Sequence, residues 1–283
     1  MKISVVIPSY NQADYLECTI LSCLAQAVKP ELIVMDGGST DGSVDIIKKH
    51  ERHLAYWQSK PDGGQSAAIN AGMELATGDV LCWLNSDDYY LPGALDKVAA
   101  KLIADSRQLL LGNCFHFTEG SAACSGSDLA TCQREHDLVL NDYVIQPSAF
   151  WTRALWDEVG TLRSDLIYTF DWDWFIRASQ VADIITIPDY LSAYRSHAAH
   201  KTGCGGEARK AEILNIYRCY LNEAQFGAVH EINRFQNETR ALERNLKRLR
   251  LEALRPAVMQ KIFPRIYSVF SLSEVARIRE SLQ

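Results

Sequence analysis

At 283 residues, with 47% hydrophobic and 23% charged residues, the chain has the composition of a folded globular protein, and disorder or collagen-like repetition is excluded. A formal charge of −6 excludes a general nucleic-acid binder, whose phosphate contacts demand a basic surface, so any bound anion must be held by a local site. The length suits one large α/β domain, or a domain of about 200 residues with an appendage.

The chain opens MKISVVIPSYNQ, and its apolar run breaks at Pro8, too early for a signal segment. No stretch approaches the roughly 18 apolar residues of a membrane span. The eight cysteines show no C-x-x-C spacing and several lie in apolar segments, which reads as reduced thiols in a cytoplasmic protein.

Residues 3–7 (ISVVI) form a β-branched run that predicts a strand. Residues 13–27 then place Leu16, Ile20, Cys23, Leu24 and Ala27 on one helical stripe. The alternation repeats: a strand over 32–35, the loop DGGSTDGS and a helix with Asp41 or Ser43 placed to cap it; a strand over 54–57, the turn KPDGG and a helix over 66–76; then a strand over 80–84. Such alternation predicts a mostly parallel sheet with helices on both faces. Residues 109–141 read as strands and loops over the sheet edge, 143–151 as a strand, 153–159 as a short helix and 171–181 as a helix. A strand pair is expected over 182–187 and 191–195, and a largely helical stretch after Gly206.

In such sheets ligands bind beyond the carboxyl ends of the strands. Four successive strand ends here carry PSYN, DGGSTDGS, KPDGGQS and NSDD, a concentration of carboxylates, amides and glycines that structural turns alone would seldom need. Gln65 and Ser66 open a helix whose free N–H groups favour an anion. In NSDD, Asp87 and Asp88 follow the apolar run VLCWL, so two adjacent carboxylates at the mouth of a buried strand repel unless they share a cation. Hard oxygen ligands suit Mg²⁺ or Mn²⁺. The bland alternative is an Asp-Asp turn capping the next helix.

Together these segments identify the chain as similar to family 2 glycosyltransferases, nucleotide-sugar-dependent enzymes of the fold called GT-A. The likeness is carried by VVIPSYNQADYLECTILSCLAQ, IVMDGGSTDGS, SKPDGGQSAAINAGMELATGDVLCWLNSDD, FDWDWFIR and YRSHAAHKT, over about residues 3–203. It implies an α/β GT-A (Rossmann-like) domain over 1–205, with a nucleotide-sugar half at about 1–110 and an acceptor half at about 111–205, followed by a helical extension over 206–283. It implies an inverting transfer from a nucleoside-diphosphate donor, UDP favoured, to a glycan or lipid-linked hydroxyl in cell-surface polysaccharide or glycolipid synthesis.

By this resemblance Pro8, Ser9 and Tyr10 line the base and ribose pocket, and Asp36 accepts hydrogen bonds from the base. Asp87 faces the ribose or the metal, and Asp88 ligates the Mn²⁺ or Mg²⁺ that bridges the diphosphate. Position 37 is Gly where the family pattern carries a second acid, so thymine and guanine stay open beside uracil. Asp62 and Asn70 are implied donor-site residues; otherwise Asp62 closes a turn and Asn70 satisfies backbone groups. Asp171 takes the place of the catalytic base, with Trp172, Trp174 and Phe175 excluding water or stacking on a sugar. Asp173 lies about 200° around the helix, a lesser acceptor-side candidate. His197 would join the metal or the diphosphate, Arg195 and Lys201 would neutralise the leaving group, and Gln146 and Pro147 would wall the acceptor side.

Residues 234–265 hold nine Lys or Arg against three Glu, in a chain whose total is −6. This reads either as a solvated helix packed on the body or as a basic tail against an anionic membrane, with Ile262, Phe263, Ile266, Tyr267, Val269 and Phe270 dipping into the interface at a membrane's cytoplasmic face. Two rival classes remain. A sugar-phosphate nucleotidyltransferase would show a Gly-rich start with an Arg-Leu pair, which is absent; a non-catalytic nucleotide-sugar-binding protein would lack Asp88 or Asp171, which are present.

Overall fold

The computed structural model describes residues 1–121, 124–129, 138–197, 201, 205–248 and 255–282. His200 of the SHAAHKT segment, and Arg250 and Glu252 of the basic stretch, lie outside the described residues. Two compact units form, one from residues 1–135 with 143–204, the other from 136–142 with 205–283.

The first unit begins with the expected alternation: β1 (Ile3–Ser9), α1 (Ala13–Leu24), β2 (Glu31–Asp36), α2 (Ser43–His50), β3 (Tyr56–Ser59), α3 (Gln65–Leu75) and β4 (Val80–Trp83). β1 and β4 are buried along their whole length, which is why they read as apolar runs rather than alternating ones. α3 lies directly on β1: a Cβ on Gly72 would come within 2.5 Å of Val6 Cγ1, so only glycine permits this approach. α2 is preceded by Gly42 in the left-handed region, and its N-cap makes no side-chain bond. Asp41 instead accepts the Ser43 and Ala13 N–H groups, tying the starts of α2 and α1 together.

β5 (Tyr89–Tyr90), α4 (Ala94–Ala99), β6 (Gln108–Thr118), β7 (Cys124–Gly126), β8 (Ala149–Thr152), α5 (Arg153–Val159), α6 (Phe170–Ser179) and β9 (Asp183–Ser196) complete this unit. The sheet order is β3-β2-β1-β4-β8-β6-β9-β5, with β7 paired to β6. β1 to β4 are parallel, but β8 runs antiparallel to both β4 and β6, so the sheet is mixed. From β1 the chain goes to β2 on one side and later to β4 on the other, and that reversal opens a crevice at their carboxyl ends.

The strand expected over 143–151 is shorter, because residues 146–148 form a 3₁₀ turn around Pro147. The strand pair expected over 182–195 is the single strand β9. Pro188 is tolerated there because the pairing with β6 shifts register between Leu111 and Cys114, and Asn113 Nδ2 donates to the Pro188 carbonyl at 2.9 Å. Cys23, Cys82 and Cys114 are buried, and burial pushes the Cys82 thiol up to about 12 and Cys114 up to about 11, so neither ionises near neutrality.

The second unit is helical: α7 (Gly206–Tyr220), α8 (Glu223–Arg234), α9 (Gln236–Arg248), α10 (Arg255–Ile262), α11 (Pro264–Tyr267) and α12 (Leu272–Ser281). Capping boxes start α8, from Asn222 and Gln225, and α12, from Ser271 and Glu274. Ile213, Ile216, Val229, Ile232, Met259, Val275 and Ile278 fill its core, and Tyr217 Oη donates to the Leu140 carbonyl. Ile266 and Phe270, expected at a membrane interface, are only 0% and 3% exposed because they belong to this core; Ile262 is 51% exposed. Among the described residues, no helix is long and apolar enough to cross a membrane.

Candidate active site

The loops after β1 and β2 are laced together. Gly37 N–H donates to the Ser9 carbonyl at 2.8 Å, Asn11 N–H to Ser39 Oγ at 2.8 Å, and Thr40 N–H to Asn11 Oδ1 at 2.9 Å. Asp36 is buried, and its carboxylate accepts from Gly38 N, Ser39 N, Ser39 Oγ and Ser59 Oγ. The structure therefore places Asp36 as the organiser of this loop, with four donors on its two oxygens. Pro8 and Ser9 are buried beneath it, while Tyr10 is 63% exposed and offers an open ring face. Asp62 is exposed and accepts the Gly64 N–H at 2.8 Å. A Cβ on Gly37 would meet both Asp62 Oδ2 and Tyr10 Cδ2 at 3.2 Å, so the glycine lets these two groups close around it.

The turn after β4 is fixed from three directions. Thr19 Oγ1 on α1 donates to the carbonyls of Ser86 and Asp88 at 2.9 and 2.6 Å. Gln65, the first residue of α3, donates to Asn85 Oδ1 at 2.8 Å and accepts from Lys201 Nζ at 2.9 Å. From β9, Arg195 N–H donates to Asp88 Oδ1 and Arg195 Nε to the Asp87 carbonyl, both at 3.0 Å. His197 Nε2 lies 3.1 Å from Asp87 Oδ2.

Asp88 is 1% exposed, and its Oδ2 is buried with no hydrogen-bond partner among the described residues. Burial, and then the neighbouring Asp87 charge, push its carboxyl well above the usual carboxylate range, against the pull of Arg195 and Asn85. Among the described residues no group of three or more His, Cys, Asp or Glu is arranged to hold a metal ion by itself. The orphaned oxygen nevertheless fits one, because a hard cation that keeps water and phosphate oxygens needs only one or two protein carboxylates. Ser9 Oγ and Gln146 Oε1 are likewise buried without a partner among the described residues. Ser9 ends β1, and Gln146 Nε2 donates to the carbonyl of Trp83 at the end of β4, so these orphans fall at the same edge of the sheet as Asp88.

Asp171 lies in the first turn of α6, half-buried, with Oδ1 accepting the Trp172 N–H at 2.9 Å. Thr169, not Asp171, holds the N-cap position. Phe170 beside it lies 5.2 Å from Lys201 Nζ and packs on Trp83, which joins this turn to the β4 end.

Five of the expected residues have structural partners or packing of their own. Asn70 donates to the Leu162 carbonyl and accepts its N–H, both at 2.9 Å, so its amide ties α3 to the chain after α5. Asp173 is buried with Arg177 Nε at 3.0 Å and Arg163 at 3.7 Å, and Arg177 also donates to the carbonyls of Val159 and Thr161. That ion pair is a structural knot between α6 and the chain after α5. Trp172, Trp174 and Phe175 are 3%, 0% and 1% exposed, so they exclude water as core residues and present no face for a sugar. Tyr15, Thr19 and Glu119 are site-building residues that the motifs did not single out. Tyr15 and Thr19 carry a signal, their i, i+4 spacing on the helix after PSYN; Glu119 carries none.

Residues 4–161 match the model of glycosyl transferase family 2. The chain belongs to that family. An uncharacterized glycosyltransferase of Mycobacterium tuberculosis is 31% identical over 222 residues, covering 76% of this chain and 81% of its own length. Among solved structures, TarS 1–349 of S. aureus in complex with UDP-GlcNAc superposes with a TM-score of 0.66 at 18% identity, covering all of this chain and 90% of that one. The mannosyltransferase PcManGT of Pyrobaculum calidifontis, in complex with GDP-Man and Mn²⁺, gives 0.55 at 18% identity, covering 97% and 77%. The fold is thus that of GT-A glycosyltransferases, and the activity that of a glycosyltransferase.

Proposed function

We propose that the chain transfers a sugar, with inversion, from a UDP-linked donor to a hydroxyl of a glycan or lipid-linked acceptor, in the building of a surface polysaccharide or glycolipid. The observation that carries this reading is the buried Asp88, whose Oδ2 has no partner among the described residues, at the tip of β4. UDP and GDP donors in the neighbouring structures support a nucleotide at this edge, and the UDP-sugar complex belongs to the more similar of the two.

In this mechanism the exposed Tyr10 ring and Asp62 receive the base, with Gly37 between them, and Ser9 and Asp87 hold the ribose. Asp88, with Asp87 and His197 beside it, would hold Mn²⁺ or Mg²⁺, which when bound supplies positive charge to the diphosphate. Lys201, placed by Gln65 and the Phe170 ring, adds a second positive charge for the departing group. Asp171 accepts the proton of the acceptor hydroxyl as that oxygen bonds to the anomeric carbon from the face opposite the diphosphate. The bond from that carbon to the diphosphate oxygen breaks in the same displacement, and one displacement inverts the centre. Gln146 and Pro147 stand on the acceptor side.

The test is a thermal-shift screen of UDP-, GDP- and dTDP-sugars with and without Mn²⁺. A UDP-sugar that stabilises the protein more with Mn²⁺ than without it is the expected result; stabilisation by none of them contradicts the reading. In the helical unit Lys247, Arg248, Lys261, Arg265 and Ile262 are all exposed, which supports peripheral contact with an anionic membrane. Replacing those four cations with Glu should then abolish sedimentation with phosphatidylserine vesicles at low salt.

A further inference from the structure

Arg195 is enclosed by rings. Its guanidinium lies 4.9 Å from the ring centroid of Tyr15, 5.1 Å from Phe117 and 6.0 Å from Tyr89, and its side chain is 14% exposed. Its Nε donates to the Asp87 carbonyl, and Nη1 faces Glu119 Oε1 at 3.8 Å. The other oxygen of Glu119 accepts the Tyr15 hydroxyl at 2.9 Å. The ring of Tyr15 also lies 4.7 Å from that of His197. One tyrosine therefore touches both the arginine that grips Asp87 and Asp88 and the histidine that meets Asp87.

We propose that Tyr15, Glu119 and Arg195 form a positioning clamp that holds the 85–88 turn and His197 in the arrangement that receives a divalent cation with a nucleoside diphosphate. This rests on the function proposed above and assigns Arg195 a role through the two aspartates rather than on the diphosphate. Glu119 would repel an anionic donor if it faced one, but it suits a partner that pins an arginine and a tyrosine from outside.

The clamp is built on fixed elements. Tyr15 lies on α1, and Glu119 follows the last β6–β9 pair, with its N–H donating to the Ser196 carbonyl at 3.1 Å. Two adjacent carboxylates repel, and their side chains would spread without an outside grip. Holding them in place beforehand lowers the ordering cost of binding.

The experiment is calorimetric titration of UDP into the full chain with and without Mn²⁺, with the unfolding temperature of each unliganded variant measured alongside. Tyr15→Leu and Arg195→Lys should weaken Mn²⁺-dependent UDP binding by about tenfold or more, the usual effect of removing a group that orients metal ligands. Glu119→Gln and Tyr15→Phe, which keep volume, should weaken it by about threefold to tenfold and carry the test should Tyr15→Leu fail to fold. Metal-free UDP affinity, which draws on this turn only through Asp87 and the ribose, should fall by less than the Mn²⁺-dependent affinity.

A purely structural role would lower the unfolding temperature and leave the Mn²⁺ dependence as in the unaltered protein, which overturns the proposal. A direct diphosphate role for Arg195 would let lysine retain most of the affinity while its loss weakened metal-free binding as much as metal-dependent binding, which also overturns it. Asp88→Ala in the same series separates the two levels. Should that variant lose metal-dependent binding while the clamp variants keep it, only the clamp fails; should it bind UDP with Mn²⁺ normally, the active-site reading fails with it.

Discussion

Two carboxylates, the half-buried Glu31 and the buried Asp88, lie at opposite ends of the parallel strands β1 to β4 and meet opposite fates. Glu31, at the amino end, accepts from Lys2 Nζ, from Ser4 Oγ at 2.6 Å, from Thr77 N–H at 2.6 Å and from Thr77 Oγ1 at 2.7 Å. Burial alone would push its carboxyl up, yet these donors together hold it down at about 2. Asp88, at the carboxyl end, accepts one N–H from Arg195, keeps an orphaned oxygen, and is pushed up by burial and by Asp87.

Around Glu31 the polar groups are also satisfied. Gly78 N–H donates to Ser4 Oγ, Lys2 N–H to Asp79, and Arg153 to the carbonyls of Gly78 and Ala76. A satisfied end holds the sheet together; an end left wanting donors or cations is where a ligand completes the structure.

The comparison is broken or sharpened by substitution. The largest effect is expected at Asp171: Asp171→Asn should cut sugar transfer by about 100-fold or more while UDP affinity stays unchanged, and normal turnover would remove Asp171 as the base. Next comes Asp173, a satisfied carboxylate on the same helix. Asp173→Asn should cost about 2–3 kcal/mol of stability, less than a fully buried pair because Arg177 is partly exposed, with no change in UDP binding. Denaturant midpoints and calorimetry check both halves, and a binding loss without a stability loss would move Asp173 into the site.

The smallest effect is expected at Glu31. Glu31→Gln should lose about 1–2 kcal/mol at pH 7, again with nucleotide binding intact. Because the folded pKa lies below the unfolded value of about 4.3, the stabilisation is full above that pH and fades as the pH falls toward about 2. Urea midpoints of the two proteins should therefore converge between about pH 4.3 and pH 2, and a constant gap across that window would refute the assignment.

Much of the first unit could be read from the chain. Apolar runs ending in polar loops gave β1 to β4 and the helices between them, and the helix over 153–159 needed no adjustment. β8 was less visible, because a four-residue strand wedged antiparallel between β4 and β6 looks the same as a parallel one in sequence. The gap between the strands expected over 182–187 and 191–195 is bridged by the single strand β9, where a register shift absorbs Pro188.

In the site, the acids of NSDD were legible because two carboxylates after an apolar strand are costly wherever they point. Asn70 and Asp173 were not, since a polar residue near a motif gives no sign of whether a backbone group or an arginine has already taken it. Glu119 lies some thirty residues from any motif before it, and only the β6–β9 ladder brings it to Arg195.

The central claim is that the orphaned oxygen of Asp88 is the place of a cation that a nucleoside diphosphate shares. Its most direct test is titration of UDP into the unaltered protein and into Asp88→Asn, each with and without Mn²⁺, beside the unfolding temperature of each unliganded protein. The account predicts that Asn abolishes the gain in affinity from Mn²⁺ while the unliganded protein becomes no less stable, since a buried charge has been removed. An Asp88→Asn protein that unfolds more readily and binds UDP with Mn²⁺ as before would contradict it.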